Sequence, residues 1–338
     1  MMIDRVRHAN VAIFVPHAGC VNRCTFCNQR HIAGQSCFPT AQDVVNACTR
    51  ALETLDDQAV AQVAFFGGSF TAIERTRMEE LLQAAAPFLK DGRIHGIRIS
   101  TRPDAIDDEV LCLLRKYGVT AIELGAQSMD DTVLAACRRG HTAQQVREAA
   151  DMIRKAGFSL GLQMMTGLPG DTEEGAMETA RQLARLCPDT VRIYPTVVME
   201  GTDLAEAYAG GHYQPQRLED AVALCARLLT FFEQHHIPVI RLGLHAEESM
   251  QQHCLAGPMH PAFRELCESE LFLQKAKKII ENCDIMKVEL SVHPACVSRM
   301  VGHKRKNIRY FADLGYTVTV VADAAVPYGE IKRREVTL

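Results

Sequence analysis

Three cysteines within eight residues, Cys20-Val21-Asn22-Arg23-Cys24-Thr25-Phe26-Cys27, are the strongest chemical signal in this 338-residue chain. Thiolates are soft ligands, and three of them in one short loop can close on a single iron-sulfur cluster. A cubane of four irons wants four ligands, yet the next cysteines are Cys37 and Cys48. One iron would be left open to a ligand that is not protein. Two plainer readings fit the same spacing: three buried thiols, or a zinc site completed by His17 or His31. The other ten cysteines form no second short-spaced set and read as small buried hydrophobes. The 13 histidines and the Met164-Met165 pair read as packing or surface residues.

The cysteine loop follows an apolar run at 10–15, and further short runs recur at 60–66, 96–100, 120–124, 159–164, 190–193 and 239–242. Segments of helical period separate them, so the repeating unit is strand then helix. Glycine-rich or polar stretches come directly after these strands: Gly67-Gly68-Ser69-Phe70, Thr101-Arg102-Pro103-Asp104, Gly125-Ala126-Gln127-Ser128, Gly167-Leu168-Pro169-Gly170 and Tyr194-Pro195-Thr196. Parallel strands with right-handed crossovers would gather all six loops at one end of a barrel, where such folds place their chemistry. None of the loops is a G-x-G-x-x-G turn opening a helix, which argues against a dinucleotide-binding sheet. Thr40 ahead of Ala41-Gln42-Asp43 marks one helix start, with the aspartate suited to a helix N-terminus.

Composition sets the class. Forty-seven per cent hydrophobic with 23% charged residues is a globular balance and excludes disorder and fibres. No apolar run reaches the roughly 20 residues that cross a bilayer, and the first eight residues lack a signal-peptide core. A cytoplasmic protein with reduced thiols and no membrane partner is expected. From His260 onward 13 Lys and Arg face 10 Asp and Glu, a net of +3, whereas the whole chain carries −4. The strand-helix alternation stops after Gly257-Pro258, so a barrel domain over 1–258 and an α+β module over 259–338 are expected. The module reads as helix 261–282, strand 286–292, two short helices and strand 316–321.

The cysteine spacing, with Phe26 just before the third thiol, resembles the radical S-adenosylmethionine (radical SAM) superfamily. The likeness extends through 65–70, 99–104, 122–128 and 193–202, which resemble the radical SAM half of the Elongator catalytic subunit. That resemblance implies a partial (β/α)6 TIM-like barrel. It also implies a 4Fe-4S cluster on Cys20, Cys24 and Cys27, whose open iron is chelated by S-adenosyl-L-methionine. Gly67 and Gly68, with Ser69, inherit the family's cradle for the methionine amine, which suits glycine because no side chain obstructs the ligand. Glu123, Gln127, Ser128 and Gln163 correspond by position to residues near the ribose and carboxylate, and Phe26 lies beside the cofactor. Arg102 is either a carboxylate fork or a surface loop charge. The implied chemistry is reductive cleavage to a 5′-deoxyadenosyl radical, fed by a low-potential donor of flavodoxin or ferredoxin type.

The C-terminal module resembles a KH-type RNA-binding core in its βααβ order. Where a KH turn reads Gly-x-x-Gly, this chain has Gly302-His303-Lys304-Arg305, so backbone clamping of phosphates is not assured. His303, Lys304, Arg305 and Lys306 would still offer charge to RNA; a solvated basic turn on a cap over the barrel is the alternative. The Elongator branch modifies the wobble uridine of tRNA, which makes tRNA or another RNA the expected substrate. Its acetyltransferase domain is not expected in a chain ending at Leu338. Two other functions stay open: a radical SAM enzyme acting on a small molecule or protein, and a non-catalytic iron-sulfur or zinc protein.

Overall fold

The structure is a computed structural model that describes residues 8–15, 20, 24–28, 37–54, 60–244, 248–281 and 286–334. Six strands run in chain order: β1 (His8–Val15), β2 (Val60–Gly67), β3 (Ile94–Thr101), β4 (Val119–Gln127), β5 (Ser159–Thr166) and β6 (Thr190–Pro195). The two-residue β7 (Val198–Met199) precedes β8 (Val239–Leu242), which joins β6 as the seventh strand of one parallel sheet. β9 (Cys254–Ala256) pairs antiparallel with β7. β7 and β9 are not legible in the sequence, because two or three residues are too few for an alternating pattern.

Alternation along the strands sorts two faces. Val63 and Phe65 of β2, Ile122 and Leu124 of β4, and Leu160 and Leu162 of β5 are buried in one core with the flanking helices. The opposite face is polar: Gln62, Arg98, Ser100, Glu123, Gln163 and Arg192 bond to one another across β2 to β6. The Arg192 guanidinium lies 5.0 Å from the centroid of the Phe66 ring, although β6 and β2 are four strands apart. Only a curled sheet allows that contact, so the polar face is the interior of a partial barrel.

The outer helices start where their caps dictate. Asp107 accepts from the Val110 N–H, Thr142 and Gln145 form a reciprocal capping box, and Thr172 accepts from the Gly175 N–H. At Thr40 the Asp43 carboxylate reaches back to the Thr40 N–H at 2.8 Å while Thr40 Oγ1 accepts from the Asp43 N–H, so aspartate completes the box. Among the described residues no helix is long and apolar enough to cross a membrane.

The helix Phe263–Ile280 belongs to two cores. Phe263 and Cys267 pack in the barrel core, and Phe272, Leu273, Ala276 and Ile280 pack in a second one. That second core is roofed by β10 (Lys287–Val292), flanked by β11 (Thr317–Ala322) in parallel and β12 (Ile331–Arg334) in antiparallel orientation. The module is therefore α+β with a mixed three-stranded sheet. β12 escaped the sequence reading because Ile331-Lys332-Arg333-Arg334 shows no apolar alternation; charge is tolerated on an edge strand.

Candidate active site

The three cysteines stand at the carboxyl end of the barrel, half-buried. Their loop is pinned from both sides: the Thr25 N–H donates to Cys137 O at 3.1 Å, and Thr25 O accepts from the Leu204 N–H at 2.8 Å. Asn28 Nδ2 donates to Glu200 O at 2.9 Å. Phe26 packs against Val133, Cys137 and Leu168, so it anchors the loop in a small apolar cluster. Burial, and then Cys24, push the Cys20 thiol up, while the Ser69 backbone N–H, Arg102 and Arg139 pull it down. His17 and His31, the alternative zinc ligands, lie outside the described residues.

Next to the loop runs the turn after β2. Gly67 has a φ of +106°, and a Cβ there would stand 3.2 Å from Val15 O, so glycine is required on both counts. The Gly68 N–H donates to Val15 O at 2.7 Å, which ties this turn to the start of the cysteine loop. The buried Ser69 hydroxyl is spent on Thr101 Oγ1 at 3.0 Å and the Arg102 N–H at 3.1 Å, while its backbone faces Cys20. Arg102 is 5% exposed, which rules out a surface loop charge. Its fork is filled by Asp104, through Nε and Nη2 at 2.8 Å each, rather than held open for a ligand carboxylate.

The loop after β4 divides its predicted residues. Gln127 takes a φ of +66° and buries Oε1 with no partner among the described residues. That turn sends Ser128 the other way: its hydroxyl accepts from the Asp130 N–H at 3.1 Å and lies 3.4 Å from Thr179 Oγ1 on an outer helix. Ser128 thus fastens the loop to the helical layer.

Arg139 escaped the sequence reading. Its Nη1 donates to Cys24 Sγ at 3.1 Å and Nη2 to Gly125 O at 2.6 Å, while Nε has no partner among the described residues. His141 lies beside it, buried, with Nε2 3.2 Å from Ala126 O. Burial, then the Arg139 charge, push its pKa down to about 4, so the ring is neutral at pH 7. The available signal was an Arg-Gly-His stretch directly ahead of the Thr142 cap.

Beneath the mouth, Glu123 is 1% exposed and saturated. Arg98 Nη1 approaches at 3.0 Å, Arg192 Nη2 and Nε at 2.8 and 2.7 Å, and Gln163 Nε2 at 3.0 Å. Glu123 and Gln163 therefore belong to the polar network of the barrel interior. The signal missed was a charge inside four of the apolar strands: Ile97-Arg98-Ile99, Ile122-Glu123-Leu124, Val191-Arg192-Ile193 and Ile240-Arg241-Leu242.

In the C-terminal module, His303, Lys304, Arg305 and Lys306 are all exposed on one turn. Gly302 (φ +80°), Lys304 (φ +49°) and Arg305 (φ +62°) have left-handed backbone, so Arg305 takes the conformation usually reserved for glycine. Buried Asn307 locks the turn, with Nδ2 within 3.0–3.2 Å of Ser269 O, Met300 O and Arg299 O. The His303 ring meets His260 at 5.6 Å between centroids, which brings the turn against the segment joining the two cores.

Residues 14–183 match the model of the radical SAM superfamily. The chain belongs to that superfamily. Residues 188–272 match the radical SAM C-terminal domain. Among curated relatives, the tRNA uridine(34) acetyltransferase of Methanocaldococcus jannaschii is 33% identical over 135 residues, 39% of this chain and 25% of that protein. Human Elongator complex protein 3 is 35% identical over 137 residues, 40% of this chain and 25% of that protein. The chain thus covers about a quarter of the length of these relatives. Among solved structures, the archaeal Elp3 of Methanocaldococcus infernus with an N-terminal deletion superposes with a TM-score of 0.61 at 20% identity, covering 78% of this chain and 62% of that one. The shared fold is the radical SAM partial barrel, and this radical SAM enzyme resembles the Elongator branch of the superfamily.

The family implies a 4Fe-4S cluster and S-adenosylmethionine, and the mouth fits both. Three half-buried thiols with two guanidinium groups and a backbone N–H around them suit the thiolates of a cluster. Among the described residues no three His, Cys, Asp or Glu side chains converge on one metal ion, and a cubane does not ask for it, since each thiolate binds its own iron. The unpartnered buried Gln127 Oε1 and Arg139 Nε offer one acceptor and one donor at the place where the cofactor would lie.

Proposed function

We propose that this radical SAM enzyme modifies RNA, with tRNA as the leading substrate. The observation that carries the reading is the juxtaposition of Cys20, Cys24 and Cys27 with the Gly67-Gly68-Ser69 turn and Arg139 at one barrel mouth. Cys20, Cys24 and Cys27 would hold the cluster, and Gly67, Gly68, Gln127 and Arg139 would hold S-adenosylmethionine. When bound, this pair supplies an electron and a 5′-deoxyadenosyl radical that removes a hydrogen atom from substrate. Arg139 keeps Cys24 beside a fixed positive charge, and neutral His141 adds no second one. The loop clamps at Thr25 and Asn28 hold the thiols in place.

RNA is favoured by the likeness to tRNA uridine(34) acetyltransferases and by the basic turn of the C-terminal module. In this reading residues 1–258 are the catalytic barrel, residues 259–338 form a KH-like arm, and His303, Lys304, Arg305 and Lys306 meet phosphates. A flavodoxin or ferredoxin would feed the cluster in the cytoplasm. The test is 5′-deoxyadenosine release from anaerobically reconstituted protein with S-adenosylmethionine and dithionite, with and without bulk tRNA. Release lost in the Cys20/Cys24/Cys27 alanine variant and raised by tRNA is expected. Release that tRNA leaves unchanged, with no tRNA retained in filter binding, would refute RNA as substrate.

A further inference from the structure

Among the described residues, the barrel interior carries more positive charge than its carboxylates neutralise. Arg98 and Arg192 share one carboxylate, Glu123, and Arg192 also donates to the Tyr194 hydroxyl. Arg241 of β8 is the register partner of Arg192 on β6, so two guanidinium groups stand side by side on one face. Among the described residues Arg241 has no carboxylate partner; its Nε donates to Gly243 O at 3.1 Å. Burial pulls its pKa down, Tyr194 opposes that pull, and Arg192 and Arg264 add to it. Like charges opposite each other on neighbouring strands destabilise a sheet, and a half-buried cation without a counter-ion costs more still. An anionic ligand between the two guanidinium groups would supply the missing counter-charge.

We propose that Arg192, Tyr194 and Arg241 form an oxyanion subsite in the barrel interior that takes a phosphate or carboxylate group of the substrate. Glu123 is the positioning residue: it fixes Arg192 from the β4 side. The Phe66 ring, under the Arg192 guanidinium at 5.0 Å, walls the subsite on the β2 side. This inference rests on reading the barrel mouth as the radical SAM site, because only then does the interior face a reacting centre. It goes further in stating what the substrate must carry: a negative group held near, and separate from, the hydrogen to be removed. Two sources share that chemistry, a nucleotide phosphate and a small organic acid.

Calorimetric titration of the anaerobically reconstituted full chain, saturated with S-adenosylmethionine, separates them. The probes are uridine 5′-monophosphate against uridine, and malonate against malonamide. In one pair the anion is expected to bind at least about tenfold more tightly, the scale of one charge-assisted contact. Arg241→Gln should abolish that preference, Arg241→Lys should retain most of it, and S-adenosylmethionine affinity should be unaltered in both. Preference in the nucleotide pair assigns a phosphate, and preference in the acid pair a carboxylate. No charge preference in the wild type, or the same preference in Arg241→Gln, overturns the subsite. So does joint loss of probe and cofactor from a variant that melts at the wild-type temperature, which would give these cations to the cofactor. If Arg241→Gln melts early, Tyr194→Phe carries the test: an unchanged preference there overturns the proposal. A wild type that shows the preference yet releases no 5′-deoxyadenosine would fail the class reading while the subsite stands.

Discussion

Glu123→Gln is the most telling single perturbation of the fold. Glu123 is 1% exposed, and its two oxygens hold Arg98 and Arg192 at 2.7–3.0 Å. The amide keeps the shape and loses the charge, so two guanidinium groups, with Arg241 beside them, face one another without a counter-ion. Breaking a buried ion pair from one side costs about 3–5 kcal/mol. For a chain of this length about 2 °C is lost per kcal/mol, so the melting midpoint should fall by roughly 6–10 °C. Circular dichroism melts of the full chain at pH 7.5, in one metal state and a buffer free of phosphate and sulfate, measure it. The exposed pair Arg181–Glu178 is the control, and Glu178→Gln should leave the midpoint unmoved. Added sulfate should restore part of the loss in Glu123→Gln and little in the wild type. A drop of less than about 2 °C would refute the idea that one carboxylate organises the interior.

Acid stability should depend on His141. Its pKa is pushed down to about 4 against 6.5 in the unfolded chain, so the unfolded state takes the proton first. The contribution is whole above pH 6.5 and disappears toward pH 4; unfolding in urea across that window should show His141→Gln losing about 3 kcal/mol less than the wild type. Asp171 works with the opposite sign: burial raises its pKa to about 6, so its contribution is present at low pH and lost as pH rises through 6. Asp171→Asn should therefore raise stability above pH 6 and leave it unchanged at pH 4. Asn307→Ala removes a buried donor from three carbonyls and should cost about 1–3 kcal/mol, with a loss of tRNA binding if the turn loosens. Charge reversal at Lys304, Arg305 and Lys306 should lower the slope of log affinity for tRNA against log salt by about 2–3 in filter binding; an unchanged slope would remove these residues from the RNA contact.

The sequence by itself determined the strand-helix alternation and the cysteine loop, because both are local. Alternating apolar residues make one strand whatever lies beside it, and Cys20, Cys24 and Cys27 are close in space because they are close in the chain. Gly67 reads from the sequence as leaving room for a ligand; its positive φ is a second demand for glycine that the structure adds. Which polar residues meet was settled only by the tertiary structure. Arg102 and Glu123 both read as candidates for a ligand; in the fold Arg102 bonds Asp104, and Glu123 bonds Arg98 and Arg192. Arg139 gave no sign of reaching a thiol 115 positions earlier in the chain. The register of β6 against β8 set Arg241 beside Arg192, and the curl of the sheet brought Phe66 across to them. Charge and hydrogen bonding act through space at a few ångströms, and which groups come within that range depends on strand register and barrel curvature, which no stretch of the sequence encodes alone.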